Sequence, residues 1–205
     1  MATWLLVAIP LVVLYGVFHL WYGGRGKPMS PVEVEGVMQH ISSRLTDEHS
    51  RAALDELRHL AASDDGQEFV MQNLVRYRAK ALYPPGYDLG DDPRAADRRY
   101  GRAILWPLLR NGNIVVFVAR RSGSFIEPEG ADAWHYVAMV RYRSRRDFLR
   151  FALQSSDANI FVHKWAAIEK THVFPVKPLV SLILVRSAAA GLLAVLGSVT
   201  YLLVR

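Results

Sequence analysis

The stretch from Val140 to Phe151, VRYRSRRDFLRF, holds five arginines within twelve positions. Guanidinium groups at this density could bind phosphate in nucleic acid or in lipid headgroups, or they could form ion pairs at the edge of a fold. A nucleic-acid surface also requires base-stacking aromatic side chains and a broadly basic domain. Without Arg186 and Arg205, the chain keeps 23 basic and 19 acidic residues, a net charge of only +4. We therefore expect ion pairs with the acidic segment 88–97, or contact with anionic membrane lipid, and no nucleic-acid partner.

Other residue patterns with defined chemistry are absent from the sequence. It has no Gly-rich phosphate loop, no HExxH, no G-x-S-x-G, and no cysteine that could bind a metal or form a disulfide. His135, His163 and His172 lie so far apart in the chain that a metal site would depend wholly on tertiary placement. The sequence therefore predicts no metal site.

The N-terminal segment 3–22, TWLLVAIPLVVLYGVFHLWY, carries no Asp, Glu, Lys or Arg. About twenty apolar residues in a helix span the roughly 30 Å of a bilayer's hydrocarbon core. A cleaved signal peptide is the alternative, but it requires a basic start and a small-residue cleavage site, and the sequence shows neither. We expect a transmembrane helix.

The C-terminal segment repeats this pattern after Arg186, with uncharged and mostly apolar residues from Ser187 to Val204. Arg186 could extend its guanidinium to the lipid headgroups, or it could be a buried functional group. Small residues at positions 187, 191, 194 and 198 form one helical stripe that could pack on the first helix or on a partner copy. The sequence thus predicts a second transmembrane helix.

The charges beside these two segments predict the orientation. Arg25 and Lys27 follow the first segment, Lys164, Lys170 and Lys177 precede the second, and only Arg205 lies beyond it. Because basic residues accumulate on the cytoplasmic side, we expect the central region in the cytoplasm, both termini outside, and the protein in a bacterial inner membrane. The lack of cysteine agrees with a reducing compartment.

The central region starts with signals for two helices. Ser30, Pro31 and Glu33 form the pattern of an N-cap followed by a capping box. Thr46 and the acidic residues after it indicate a second cap, for a helix that ends near Ser63. We interpret this pair as a structural collar close to the membrane.

The rest of the central region alternates between strand and helix patterns. The predicted order is a strand at 68–78, a helix at 94–113, strands at 113–121 and 133–143, a helix at 144–154 capped by Ser144, a helical piece at 156–170, and a strand at 171–176. This order predicts an α+β fold with the ferredoxin-like βαββαβ arrangement. The predicted domains are a transmembrane helix at 1–23, the helical pair at 24–67, the α+β domain at 68–178 and a transmembrane helix at 179–205.

Four segments of this region, EFVMQNLVRYR, RRYGRAILWPLLRNGN, WHYVAMVRYRSRRDFLRFA and HKWAAIEKTHVFPV, resemble an uncharacterised bacterial family, the domain of unknown function 1330 type, in the dimeric α/β-barrel superfamily. The family pattern has M-x-N-L-x-R-[FY], then [RK]-Y-G, V-x-[YF]-x-S and H-R-x-A-[AG]-[LI]. The resemblance covers about half the chain, residues 68–178. Arg143 stands in place of the usual Pro, and Lys164 in place of the Arg after the histidine, so a bidentate guanidinium role at that position does not transfer.

The resemblance implies a homodimer in which two sheets enclose a barrel. The superfamily includes cofactor-free monooxygenases, haem-degrading enzymes and muconolactone-type isomerases, and the fold alone selects none of these activities. The motif positions supply the candidate site residues. His163 and Tyr100 are the candidates for catalysis, because imidazole titrates near neutral pH and could act as a general base or bind haem, and a hydroxyl could orient a substrate oxygen.

Four further motif positions are candidates for ligand binding: Asn73, Arg76, Arg102 and Tyr142. Every candidate except Tyr142 has a specific structural alternative. His163 could bond a backbone carbonyl, Tyr100 could pack its ring on the sheet, Asn73 could hold a neighbouring loop, and the two arginines could pair with the segment 88–97.

Three functions remain open at this point. The first is a dimerising structural or interaction protein, with membrane lipid around its helices and another membrane protein as a further partner. The second is an enzyme acting on a small hydrophobic molecule through His163 and Tyr100. The third is a sensor that binds a ligand such as haem without turnover, although no cofactor is predicted. An open pocket would favour the last two, whereas Phe117, Trp134 and Tyr136 meeting across the sheet would fill it.

Overall fold

The computed structural model describes residues 2–22, 26–43, 54–155, 157–179 and 185–204. Its elements are α1 (Ala2–Tyr22), α2 (Pro31–Ser42), α3 (Leu54–Ala62), β1 (Phe69–Tyr77), α4 (Pro93–Arg110), β2 (Ile114–Arg120), β3 (Tyr136–Tyr142), α5 (Arg145–Ser155), α6 (Ala158–Ala167), β4 (Ile168–Val176) and α7 (Val185–Val204). They form two compact units, one of residues 1–25 with 178–205 and one of residues 26–177.

The larger unit is built on a four-stranded antiparallel sheet with the order β2-β3-β1-β4. The prediction of a mixed α+β fold is thereby confirmed. In register, Asn73 of β1 lies between Ala138 of β3 and Val173 of β4. Because successive strand residues point to opposite faces, the odd-numbered residues of β1 and the even-numbered residues of β3 share one face of the sheet.

The last strand begins earlier than the sequence pattern predicts. Residues 168–170 were expected in a helix, but α6 ends at Ala167 and its C-cap residue Ile168 is extended, with φ −99° and ψ 123°. Ile168 pairs with Tyr77 across the sheet, after a register irregularity at Arg76. Strand pairing with β1 therefore prevails over the local helical pattern.

Three helices pack against the face that carries the odd-numbered residues of β1. At one end of this face, Phe69, Met71 and Tyr142 form a core cluster with Leu108 of α4 and Phe151 of α5. At the other end, the cluster is Val75, Ala81, Ala96, Ala166, Ala167 and Ile168, drawn from the sheet, the loop after β1, α4 and α6. Burial of these apolar groups fixes α4, α5 and α6 over one side of the sheet.

The two helices before the sheet form a further layer on α5. The predicted start of α2 is confirmed, because the Ser30 side chain accepts a hydrogen bond from the Glu33 backbone and the Glu33 side chain accepts one from the Ser30 backbone. The buried residues of this layer are Val34, Met38, Ile41, Ala61 and Leu149. The predicted second cap, at residues 46–48, lies outside the described residues.

The smaller unit is a pair of helices, α1 and α7, that pack on each other. The two helices lie close together at Gly197 of α7, where a Cβ atom would lie 2.8 Å from Cδ1 of Leu11 and would require that side chain to shift. A shallow apolar groove of about 500 Å³ follows their contact and includes Ala194 and Ser198 of the predicted small-residue stripe. Both helices are long and apolar enough to cross a membrane, although helix length and composition alone do not establish that they do.

Candidate functional site

A cleft of about 950 Å³ separates the middle of the sheet from α4. Its floor is formed by side chains of the covered sheet face, among them Asn73, Val75 and Ala138, and one wall by Tyr100, Ile104 and Leu108 of α4. α4 contacts the sheet through Ala96 near its start and Leu108 near its end, and the cleft lies along the part of the helix between these contacts.

The most polar feature of the cleft is a carboxyl group held by two tyrosines. The Tyr77 hydroxyl donates to Oδ2 of Asp97 at 2.7 Å, and the Tyr136 hydroxyl donates to Oδ1 of Asp97 at 3.3 Å. Tyr77 ends β1, Tyr136 begins β3, and Asp97 lies in the first part of α4. Their rings are close as well, with 5.5 Å between the centroids of Tyr77 and Tyr136. We call these three residues the Asp97 cluster.

Burial changes the acidity of the Asp97 cluster and of the tyrosines near it. It raises the pKa of Asp97, although the two tyrosine hydroxyls act in the opposite direction by donating to the carboxylate. Burial likewise raises the pKa of Tyr77, Tyr136 and Tyr100, and the charge of Asp97 adds to the shift in each. The tyrosines therefore stay protonated at neutral pH and act as hydrogen-bond donors.

His135 extends the Asp97 cluster toward the end of the sheet. Its Nδ1 accepts a hydrogen bond of 3.0 Å from the backbone N–H of Tyr77, and this bond requires the neutral ring to carry its proton on Nε2. His135 and Tyr136 belong to the segment that leads into β3, and the rings of His135 and Tyr77 are 5.4 Å apart. The imidazole Nε2–H is thus a fixed donor beside the cleft.

Basic side chains are concentrated at the same end of the cleft. Arg94 lies over the Tyr77 ring, with 6.0 Å from its guanidinium carbon to the ring centroid, and Lys164 of α6 lies 5.8 Å from the Tyr100 centroid. Arg120, at the end of β2, is the partner of Tyr136 in the strand register and also lines the cleft. Positive charge therefore surrounds the Asp97 cluster.

The structure brings three of the six predicted site residues into this cleft: Asn73, Tyr100 and Tyr142. The amide nitrogen of Asn73 donates to the carbonyls of Met71 and Ala138, at 3.1 and 3.3 Å, so backbone of its own and the next strand fixes its orientation. Tyr142 stacks on Phe69 with 5.4 Å between centroids, and its pKa is raised by burial. It belongs to the apolar end of the cleft.

The other three predicted residues lie elsewhere in the larger unit. His163 is paired with the Tyr83 hydroxyl, 3.0 Å from its Nδ1, and burial together with the positive charge of Arg99 lowers its pKa. Arg76 points to the opposite sheet face, where it donates to Glu169 at 2.8 and 3.1 Å and to Asp132 at 3.4 Å. Arg102 is exposed on the outside of α4. His163 and Tyr100 are therefore not neighbours in one pocket.

The arginine-rich stretch forms ion pairs, but with other acids than the segment 88–97 that the sequence suggested. The pairs are Arg141 with Glu68, Arg143 and Arg150 with Asp147, Arg145 with Asp65, and Arg146 with Glu33. The Arg146 guanidinium, with the backbone N–H of Ser30, lowers the pKa of Glu33 to about 2. Two of these contacts join α5 to α2 and to the segment before β1. Their residues lie far apart in the sequence, so the sequence alone did not indicate these pairs.

Most residues of the cleft were not among the sequence candidates, and they include Tyr77, Arg94, Asp97 and Tyr136. A signal for part of this set exists, because Arg94, Asp97 and Tyr100 are spaced by three and therefore share one side of α4. The two tyrosines are brought together only by the β1–β3 register. Among the described residues, no group of three His, Cys, Asp or Glu side chains is arranged to hold a metal.

Comparison with known proteins gives a structural likeness without a function. No family model matches the chain, and no curated protein matches it. The crystal structure of RPA0582, a protein of unknown function from Rhodopseudomonas palustris, is similar with 26% sequence identity and a TM-score of 0.56, over 62% of this chain and 94% of that one. The structure of methylated RPA0582 gives the same identity and TM-score and covers 93% of its chain.

Proposed function

We propose that this chain is a membrane-anchored protein whose α+β unit binds a small, largely apolar molecule in the cleft between the sheet and α4. The observation that carries the proposal is the cleft itself, about 950 Å³ in volume. Binding sites for small molecules are concave and mostly apolar, with a few fixed polar groups and a volume of about 300–1,000 Å³.

The composition of the cleft fits this description. Val75, Val140 and Ile168 of the sheet and Leu108 of α4 are apolar, so a bound hydrocarbon or aromatic group would lose contact with water on both sides. The Asp97 cluster supplies hydrogen-bonding groups at one end, each already oriented by another protein group. The cleft would therefore offer a ligand both a hydrophobic surface and polar groups that fix its orientation.

The large side chains that could have closed this space do not do so. Trp134 and Tyr136 lie at its border, whereas Phe117 pairs in register with Met139 and is not part of the cleft. This arrangement favours the ligand-binding hypotheses over a purely structural role for the α+β unit. Turnover of a bound molecule would depend on its chemistry. The Asp97 cluster, rather than His163 with Tyr100, is the group positioned to exchange protons with that molecule.

A substitution that fills the cleft tests this function. Ala138 is a small residue on the cleft floor, and Ala138→Trp would place an indole in the space. We expect the full chain in nanodiscs to bind the neutral fluorescent probe N-phenyl-1-naphthylamine, and the variant to lose this binding beyond the signal of empty nanodiscs. Ala119→Trp is the matched control, because Ala119 is not part of the cleft. Equal probe binding by all three proteins would refute the proposal.

We further propose that the α+β unit is ferredoxin-like and that α1 and α7 anchor it in a bacterial inner membrane, with residues 26–177 in the cytoplasm. The strand order, with β1 connected to β2 through α4 and β3 to β4 through α5 and α6, supports the first assignment. The lengths of α1 and α7, 21 and 20 residues, and the basic residues Lys27 and Lys177 beside them support the second.

A second candidate function, dimerisation as a scaffold, is favoured by the other face of the sheet. Leu74, Val137, Met139 and Phe174 lie on this face, are partly exposed, and belong to none of the core clusters found in the described residues. A second copy would bring an identical apolar surface and so match it in character. This dimer would leave the cleft accessible, because the cleft lies on the opposite face.

Light scattering of the full chain in detergent checks the dimer. We expect a dimer for the wild type and a monomer for Met139→Glu, because a carboxylate in the middle of an apolar interface is costly to desolvate. Ser122→Glu, in the exposed connection between β2 and β3, is the control for added charge outside this face. A wild type that stays monomeric over a wide concentration range would exclude this interface.

A further inference from the structure

The cleft is polar at one end and apolar at the other, and this asymmetry follows from the strand register. The end of β1, the start of β3 and the start of α4 bring together Tyr77, Tyr136 and Asp97. The start of β1, the end of β3 and the end of α4 bring together Phe69, Tyr142 and Leu108, with Phe151 of α5. A ligand that satisfies both ends must be amphipathic.

The charge at the polar end is positive. The basic residues that line the cleft are Arg94, Arg98, Arg120, Arg121 and Lys164, and Asp97 is the single acidic residue that lines it among those the structure describes. Two of the arginines are compensated from outside the cleft, since Arg98 pairs with Asp92 at 3.5 Å and Arg121 with Glu127 at 2.6 Å. Arg94 and Arg120 alone still outnumber Asp97.

Asp97 cancels only part of this positive charge, because it is one carboxyl group and both of its oxygens already accept hydrogen bonds from tyrosine hydroxyls. Two aromatic rings near this end already have a cation beside them, because Arg94 lies over Tyr77 and Lys164 lies over Tyr100. A cationic ligand would meet repulsion at this end, whereas an anionic group would meet guanidinium and ammonium donors.

We propose that the cleft binds an anionic amphipathic molecule, with its carboxylate or similar acid group toward Arg94 and Arg120 and its apolar body toward Leu108 and Phe151. The inference rests on the proposed ligand-binding function and adds the chemical class of the ligand. Aliphatic and aromatic carboxylates both belong to this class, whether they come from the membrane or from solution.

Three probes of nearly equal shape test the charge. They are 1-naphthaleneacetate, its neutral amide, and the cation 2-(1-naphthyl)ethylammonium. Each displaces N-phenyl-1-naphthylamine from the full chain in zwitterionic nanodiscs, and binding to empty nanodiscs is subtracted. We expect the anion to bind at least about tenfold more tightly than the amide, and the cation most weakly, because a charge-assisted hydrogen bond exceeds a neutral one by this order.

Variants connect the preference to the named residues. Arg94→Gln with Arg120→Gln should reduce the preference for the anion to about twofold and leave the affinity for the amide nearly unchanged. Arg102→Gln is the matched control, since Arg102 is exposed on the outside of α4, and it should keep the wild-type preference. An equal loss in the control would show that the effect comes from general surface charge and would overturn the assignment to the cleft.

The remaining outcomes separate this inference from the function it rests on. Equal binding of the three probes by the wild type, abolished by Ala138→Trp, would overturn the anionic class and leave the ligand-binding function in place. Tightest binding of the cation would also overturn the class. Failure of all probes, including N-phenyl-1-naphthylamine, would overturn both proposals.

Discussion

The acid–base properties of Asp97 depend on its place in the fold. In the sequence it is one acid in an acidic segment, but in the structure two tyrosine hydroxyls bond its oxygens at 2.7 and 3.3 Å. Desolvation raises its pKa because the charged form loses water that the protein replaces only in part. A raised pKa brings a carboxyl group closer to the range in which it can both accept and donate a proton.

The raised pKa predicts the pH dependence of stability. Below the unfolded pKa of about 3.9 the group is protonated in both states and has no effect. As pH rises through that value and then through the higher folded pKa, the folded state keeps its proton longer, so ionisation costs stability over this window. The free energy of unfolding of the wild type should therefore fall as pH rises through this window, and Asp97→Asn should abolish this fall. Urea unfolding midpoints at several pH values measure it, and parallel curves for the two proteins would contradict the prediction.

Asp147 is a second residue whose effect depends on burial. Its buried carboxylate accepts hydrogen bonds from Arg143 at 2.7 and 3.1 Å, from Arg150 at 3.2 Å and from Ser144 at 3.0 Å. Arg143 is mostly buried as well, with 17% of its side chain exposed, so loss of the carboxylate would leave a guanidinium short of its partner in a poorly solvated place.

We expect Asp147→Ala to lower the free energy of unfolding by about 3 kcal/mol, as for other buried pairs that lose one partner. Arg150→Ala removes the exposed member of the same network, with 57% of its side chain in solvent, and should cost less than about 1 kcal/mol. Denaturant unfolding of the full chain, followed by tryptophan fluorescence, compares the two. Similar losses in both variants would show that burial of the network does not determine its contribution.

At the scale of elements, most local signals predicted the structure, with the helical pattern at 168–170 as an exception, whereas the long-range contacts that form the cleft were not predicted. The capping box at Ser30 and the strand pattern of β1 depend on residues close in sequence, and both were predicted. The cleft depends on the position of α4, which contacts the sheet at Ala96 and Leu108. The Asp97 cluster depends on the register between β1 and β3. The sequence pattern and the residue spacing define neither the position of α4 nor the strand register. Three of the six predicted site residues therefore lie outside the cleft.

The start of α2 gives a prediction at this scale. Ser30→Ala removes the side-chain oxygen that accepts the Glu33 N–H at 3.3 Å and should destabilise the helix by about 1 kcal/mol. Because α2 packs on α5 through Val34, Met38 and Ile41, the loss should appear as faster hydrogen exchange in α2 and not in β1. Ser42→Ala, at the other end of α2, is the control. Unchanged exchange in the first turn would mean that the cap contributes nothing to the helix.

The whole molecule joins two kinds of environment in one chain. The α1 and α7 helices expose large apolar side chains along their length, with 75% of Leu6 and 83% of Leu203 accessible in the described structure, whereas residues 26–177 enclose three buried apolar clusters. Exposed apolar surface of this extent is stable against lipid and unfavourable against water.

If α1 and α7 span a membrane as proposed, the orientation of the chain decides on which side of that membrane the cleft lies. The natural chain has no cysteine, so a single cysteine introduced at Ser122, in the exposed connection between β2 and β3, is a unique label. If basic flanks keep residues 26–177 in the cytoplasm, a membrane-impermeant maleimide should not modify Ser122→Cys in intact cells and should modify it in inverted vesicles. Ala2→Cys should show the opposite pattern, because both termini would lie outside. Ready modification of Ser122→Cys in intact cells would reverse the proposed orientation and place the cleft outside the cytoplasm.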